Sequence, residues 1–322
     1  MSRTRKITVR VDGSLKIGMG HVVRCKHLTT YIRWHVIPSP YITFIGEDGS
    51  PDLNESILLY LTTHPMDLLI IDCNWHGNPE LTSLFPDNLP IISLHEHNFP
   101  TLTGVAAAIN PSLVEQMPPA GYELGRTHFQ GPDYLIIDDQ IPILAKNRCM
   151  EMKQPVEVVV SLGGSDPDST TLRVVDSLAS MNNIHLQVII GPAFPVETIT
   201  KLSTNPAIKL HYKLSKIAPI LAQADIAITN AATTMFESIA LGVPTIAVPN
   251  NPYEALQAVI CARAGAAMAV NPENIEDEAV ALIKRLVADQ ALRQGLSSKG
   301  RSMIDGLGLS RVGDIIIKHL RG

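Results

Sequence analysis

The feature that most constrains this chain is an alternation of short apolar runs with longer amphipathic stretches, which occurs once, breaks, and then occurs again. The runs ITVRVD (7–12), YITFIG (41–46), DLLIID (67–72) and PIISL (90–94) read as buried strands. Helical spacing of apolar residues lies between them at 21–34, 51–63 and 79–85. Strand and helix in turn imply a parallel sheet covered by helices on both faces. Residues 110–155 interrupt the pattern with Pro, Gly and charged residues in NPSL, MPPAG and KNRCMEMKQP, so a linker is expected near 145–155. A second alternation follows. It comprises EVVVSLGG, a helix over 169–181, HLQVIIG, a helix over 196–203, IKLHY, a helix over 214–223, and DIAITN. It continues with helices over 234–241 and 252–264 around the strand PTIAVPN, and two or three helices finish the chain. The expected architecture is α/β, with two Rossmann-like parallel-sheet domains, 1–150 and 151–322, facing a central cleft. Ligands of such sheets bind beyond the carboxyl ends of the strands.

Composition narrows the function. The 322 residues exceed what one ordinary core organises, and 45% apolar with 18% charged residues is the balance of a globular protein. The net charge is −5 and no basic run occurs, which argues against nucleic acid as a partner. No segment approaches the roughly 18 apolar residues that span a bilayer. MSRTRK leads straight into a strand without the apolar core of a signal peptide, so a cytoplasmic protein without an integral membrane segment is expected. Cys25, Cys73, Cys149 and Cys261 form no CxxC pair, and read as reduced thiols rather than as a zinc site or a disulfide framework.

Four loops lie just past strands. In DGSLKIGMGHVVRC, Gly18 and Gly20 permit a tight turn, His21 opens a helix and Arg24 follows one turn later. The dinucleotide fingerprint fails at Val23 and no GK[ST] follows, so neither a nicotinamide or flavin cofactor nor a Walker loop is expected. His21 is either a general base or a helix-start residue bonded locally. In SLGGSDPDSTT, Gly163, Gly164 and Ser165 offer backbone N–H groups to a phosphate, while Asp166 or Asp168 is alternatively only a helix cap. In ITNAATTMFESIALGVPTIAV, small residues turn into a helix, and Glu237 stands about one turn in. A carboxylate there can accept both hydroxyls of a ribose; the alternative is an exposed acid favoured by the helix dipole. The fourth loop pair carries Asp72, Asn74 and His76 with His95, Glu96 and His97. A sugar-binding or base-orienting cluster fits these better than a metal site, since HxH is a short and frequent pattern.

Together these loops resemble the UDP-sugar hydrolases of the pseudaminic acid pathway, which act on UDP-2,4-diacetamido-2,4,6-trideoxy-β-L-altropyranose, and the related spore coat polysaccharide proteins. DGSLKIGMGHVVRC matches their G-x-G-H-x-x-R signature, and SLGGSDP and AATTMFESIALGVPTIAV match their C-terminal loops in the same order. The last segment is also similar to the nucleotide site of MurG-type glycosyltransferases. The likeness runs from about residue 7 to 270 and implies a GT-B fold with UDP held mainly by the C-terminal domain. It implies that His21 activates water, with Gly18 and Gly20 against the donor and Asp12 and Arg24 in support. It also implies that Gly163, Gly164, Ser165, Ala232, Thr233 and Thr234 approach the phosphates and that Glu237 binds the ribose. It further implies inversion at the anomeric carbon without a metal or other cofactor. A nucleotide diphosphate is already a good leaving group, so one base and a neutralised diphosphate suffice.

The chain departs from the family at His95 and Glu96, at Asp138, and at Asn251 with Glu254. These positions are candidates for touching sugar or phosphates, which leaves the sugar and the reaction open. The expected partner is a small nucleotide-sugar. Three activities stay in view: a hydrolase releasing UDP and a free amino or deoxy sugar for surface polysaccharide or nonulosonic acid synthesis, a glycosyltransferase with the same nucleotide site, and a non-catalytic binder.

Overall fold

A computed structural model describes residues 3–12, 20–46, 55–72, 84–94, 105–115, 127–149, 151–166, 168–206 and 208–321. The chain divides into two units, Met1–Ile136 with Leu307–Gly322, and Ile137–Gly306. The first unit begins with β1 (Lys6–Val11), α1 (Gly20–His35), β2 (Tyr41–Ile45), α2 (Glu55–Thr63) and β3 (Leu68–Asp72). Then come β4 (Ile91–Leu94), β5 (Ala107–Asn110) and β6 (His128–Gln130). These strands form one parallel sheet in the order β2-β1-β3-β4-β5-β6. The order reverses between β1 and β3, so the crevice at their carboxyl ends is the natural ligand position. Ile7, Val9 and Val11 face α1 and pack on Cys25, Leu28 and Ile32.

The second unit opens with α3 (Ile141–Asn147), β7 (Val156–Ser161), α4 (Thr170–Leu178), β8 (Ile184–Ile189), α5 (Val196–Ser203) and β9 (Ile208–His211). It goes on through α6 (Ala218–Leu221), β10 (Ile226–Asn230), α7 (Thr233–Leu241), β11 (Thr245–Val248) and α8 (Pro252–Arg263). It ends with β12 (Met268–Ala269), α9 (Ile275–Ala288) and α10 (Gln290–Met303). Its sheet is again parallel, in the order β12-β11-β10-β7-β8-β9. That is the dinucleotide-fold order, with its switch point between β7 and β10.

The final helix, α11 (Gly308–Arg321), returns to the first unit. Leu309, Val312, Ile316, Ile317 and Leu320 recur at helical spacing and join the core of β1 and α1. Two glycines permit the approach. A Cβ at Gly308 would lie 2.1 Å from the Leu135 carbonyl oxygen, and one at Gly313 would lie 2.3 Å from the Tyr31 ring. The expected division at 150 therefore needs two corrections. Residues 137–150 belong to the second unit, where Ile141 is fully buried and packs beside Gly306. Residues 307–322 belong to the first. The strands β5, β6 and β12 were not anticipated; they have four, three and two residues, too few to impose a period.

Candidate functional site

At the β1–β3 switch point, α1 brings His21 and Arg24 to one face, three residues apart, over the end of β3. His21 Nδ1 lies 2.7 Å from Asp72 Oδ1, and Arg24 Nε donates to Asp72 Oδ2 at 2.6 Å. A second Arg24 nitrogen, Nη2, also bonds Asp72 Oδ1, and Cys25 Sγ donates to Oδ2 at 3.2 Å. Asp72 is fully buried, whereas the His21 side chain is 14% exposed. Burial alone would push the Asp72 carboxyl up. The charges of Arg24 and His21 outweigh it and hold the group well below the usual carboxylate range. The carboxylate can only accept, so His21 presents Nδ1–H to it and leaves Nε2 as a free acceptor. Arg24 Nη2, 2.9 Å from the same Nδ1, adds positive charge beside the ring.

This geometry bears on two sequence expectations. Of the two expectations for Asp72, sugar binding and base orientation, the geometry favours the second: it has no exposed surface and both of its oxygens are engaged by His21 and Arg24. Asp12, expected to support His21, lies on the other face of the sheet. Val11, not Asp12, is in register with Asp72, and Asp12 forms a buried ion pair with Arg10. Gly20 is the first residue of α1, and among the described residues none comes within 4 Å of where its Cβ would stand. Gly18, Asn74, His95 and Glu96 lie outside the described residues. Among the described residues no group of three or more His, Cys, Asp or Glu is placed to hold a metal.

At the β7–β10 switch point three loops converge in the second unit. Gly163 has φ +108°, a left-handed conformation that favours glycine. Gly191, past the end of β8, braces this loop: its Cβ would stand 2.4 Å from the Gly164 oxygen, and Ala193 N–H donates to that oxygen at 2.9 Å. Sequence reasoning assigns this bracing residue no role, although its position as the closing glycine of VIIG is a usable signal. Asp166 accepts from Thr171 N–H at 3.1 Å, so it caps α4 and already fills that helix end with a carboxyl group. In contrast, α7 follows Ala232, which gives it no side-chain cap, and Ala232, Thr233 and Thr234 are half-buried. Its first-turn N–H groups are the ones suited to an anion.

Glu254 joins the loops. It accepts from Asn250 N–H at 2.9 Å and from Asn230 Nδ2 at 3.3 Å, while its own N–H donates to the Asn251 side chain at 2.9 Å. Its expected sugar contact thus competes with a capping role. Gln257 Nε2 donates to the Ala231 carbonyl at 3.1 Å and anchors the turn into α7. Glu237 differs from an open ribose acceptor, being 4% exposed with Asp138 N–H donating to it at 3.3 Å. Burial, reinforced by the Asp138 charge, pushes its carboxyl up to about 8. Asp138 is itself bonded by Lys216 Nζ at 3.1 Å, and Lys216 also reaches Asp139 at 2.5 Å.

Residues 158–299 match the glycosyltransferase family 28 C-terminal domain. The chain is 26% identical to spore coat polysaccharide biosynthesis protein SpsG of Bacillus subtilis (strain 168), over 96% of this chain and 97% of that protein. Its fold is similar to that of MurG from Acinetobacter baumannii, with a TM-score of 0.63 at 13% identity over 98% and 99% of the two chains. It is also similar to the glycosyltransferase SsfS6 of Streptomyces sp. SF2575, which was solved with thymidine diphosphate. There the TM-score is 0.62 at 11% identity, over 99% and 100% of the chains. The chain thus has the GT-B fold of these glycosyltransferases, a family 28-like C-terminal unit, and a homologue in SpsG.

Proposed function

We propose that the protein is a nucleotide-sugar hydrolase, with UDP-sugars as the first class of substrate to test. The observation that carries this reading is the buried Asp72–His21 pair, which fixes the imidazole and leaves Nε2 to take a proton. In the proposed reaction Nε2 removes a proton from water as the water oxygen bonds to the anomeric carbon. The bond from that carbon to the diphosphate oxygen breaks, and its electron pair leaves with the nucleoside diphosphate. The sugar is released with inverted configuration. The α7 N-terminus and the Gly163–Ser165 backbone offset the charge of the leaving diphosphate. Ribose recognition by Glu237 in this reading requires its enclosed carboxyl group, now accepting from Asp138 N–H, to become accessible to the ribose hydroxyls.

Matching the glycosyltransferase family 28 C-terminal domain supports a second reading, transfer to an acceptor hydroxyl deprotonated by the same histidine. The two readings differ only in the nucleophile. A panel of nucleotide-sugars incubated without acceptor, with nucleotide release followed with and without chelator, separates them. Acceptor-free, chelator-insensitive release that His21→Asn abolishes supports hydrolysis. Release only with an added acceptor supports transfer, and tight nucleotide binding without release in either case defeats both.

A further inference from the structure

The last turn of α1 carries Arg33, Trp34 and His35, after which the chain passes Ile37 and enters β2 at Tyr41. Trp34 is 80% exposed, Ile37 91% and Tyr41 66%. Among the described residues of the first unit these are the three most exposed large apolar side chains, and all fall between positions 34 and 41. The helix does not need them for packing. Cys25, Leu28 and Ile32 face the sheet, while Tyr31 and His35 stack on one another, Tyr31 lying against Gly313 of α11.

The surroundings are basic. Tyr31 Oη donates to Asp314 at 3.1 Å and Arg321 Nη2 donates to the His35 carbonyl at 3.2 Å, so α11 runs alongside α1 and ends beside it. Exposed Lys318 and Arg321 therefore flank the last turn of α1, which adds exposed Arg33. Tyr41 is in register with exposed Lys6 at the start of β1. Of the nearby acids, Asp67 is already shared by Arg3 and Arg5, and Asp314, which accepts from Tyr31, is outnumbered by Arg33, Lys318 and Arg321. In a chain of net charge −5 this end is a local reversal of sign. Bases at two helix C-termini complement the helix dipoles, but that does not account for an exposed indole and isoleucine among them.

We infer that this end of the first unit seats on an anionic phospholipid surface. Trp34, Ile37 and Tyr41 enter the headgroup layer, and Arg33, Lys318 and Arg321 pair with lipid phosphates. Aromatic rings with one polar edge favour that layer, and clustered Lys and Arg are drawn to it by anionic lipid. A second copy of the chain is the poorer occupant, because pairing this face with itself opposes like charges. His21 stands near the other end of the 16-residue α1, about 20 Å from Trp34 at 1.5 Å per residue, so seating leaves it clear of the bilayer.

Co-sedimentation of the full chain with vesicles tests this, using phosphatidylcholine alone and phosphatidylcholine mixed with phosphatidylglycerol. The expected result is about tenfold stronger binding to the anionic vesicles at low salt, falling steeply as salt rises. Trp34→Ser with Ile37→Ser, and separately Arg33→Glu with Lys318→Glu, should each abolish it with the melting temperature unchanged. If the first pair lowers the melting temperature, the charge-reversal pair decides. Equal binding to neutral vesicles, no binding, or wild-type binding by the charge-reversal pair overturns the inference. So does a dimer, seen by ultracentrifugation, that the apolar pair dissolves while lipid binding is absent.

Discussion

Asp72 at the end of β3 and Glu237 in α7 are both buried carboxyl groups, and their environments drive them in opposite directions. Asp72 has Arg24 and His21 in contact, and stays ionised far into acid. Glu237 has one backbone N–H and the like charge of Asp138 nearby, and is pushed up to about 8. Burial is the same in the two places; counter-charge decides which group holds its proton. The first arrangement suits a fixed anion that orients a base. The second suits a group that waits for a hydroxyl-rich partner.

The largest expected effect comes from removing what Asp72 orients. His21→Asn should lower turnover by about 10²- to 10⁴-fold, the usual span of a general base. Nucleotide affinity, read by calorimetry, should stay near wild type; an active His21→Asn protein would detach the Asp72 site from the chemistry. Asp72→Asn should cost roughly 10²-fold or more in turnover by presenting the wrong imidazole tautomer. It also removes the carboxylate that faces buried Arg24, so stability in urea unfolding should fall.

Arg24→Gln should move Asp72 toward the environment of Glu237. In the wild type the Asp72 carboxyl is held below its unfolded value of 3.8. The stability it contributes is thus present above that pH and lost as pH falls through the folded value. With Arg24 gone only His21 remains to offset burial, so the depression should shrink and less stability should be lost on acidification. Urea midpoints across pH would read the smaller loss, and an unchanged profile would mean that Arg24 is not the dominant counter-charge.

Glu237 runs the other way in the native protein. Its folded value, about 8, lies above the unfolded 4.5, so its contribution is complete below pH 4.5 and is lost as pH rises through 8. Glu237→Gln should come near the wild type below pH 4.5 and grow progressively more stable than it as pH rises through 8. The same variant should weaken nucleotide binding if Glu237 meets the ribose; unchanged affinity would remove that role. The smallest effect belongs to Lys216→Ala. Its side chain is 34% exposed where it pairs with Asp138, and its loss should cost under about 1 kcal/mol of stability by thermal unfolding.

Particular elements explain how far the sequence could be read. Long apolar runs such as EVVVSLGG became β7 and its loop, and the helix expected over 196–203 is α5. The cap reading of Asp166 needed only a local hydrogen bond between neighbours in the chain. By contrast β5, with sequence AAIN, is a strand because β4 and β6 pair with it on either side. The partner of His21 lies 51 positions away, and several acids within reach of the sequence pattern were equally plausible. Choosing Asp72 for orientation and leaving Asp12 to Arg10 required strand register and the pleat.

By itself the sequence determined what local periodicity and local hydrogen bonding can determine. That covers a twice-repeated α/β alternation, the glycine turns past the strands, and a histidine at the opening of α1. The tertiary structure alone decided which unit α11 completes, which carboxyl orients His21, and that Glu237 is enclosed. Each of these depends on contacts between residues far apart in the chain, where burial and counter-charge, rather than residue type, set what a side chain can do.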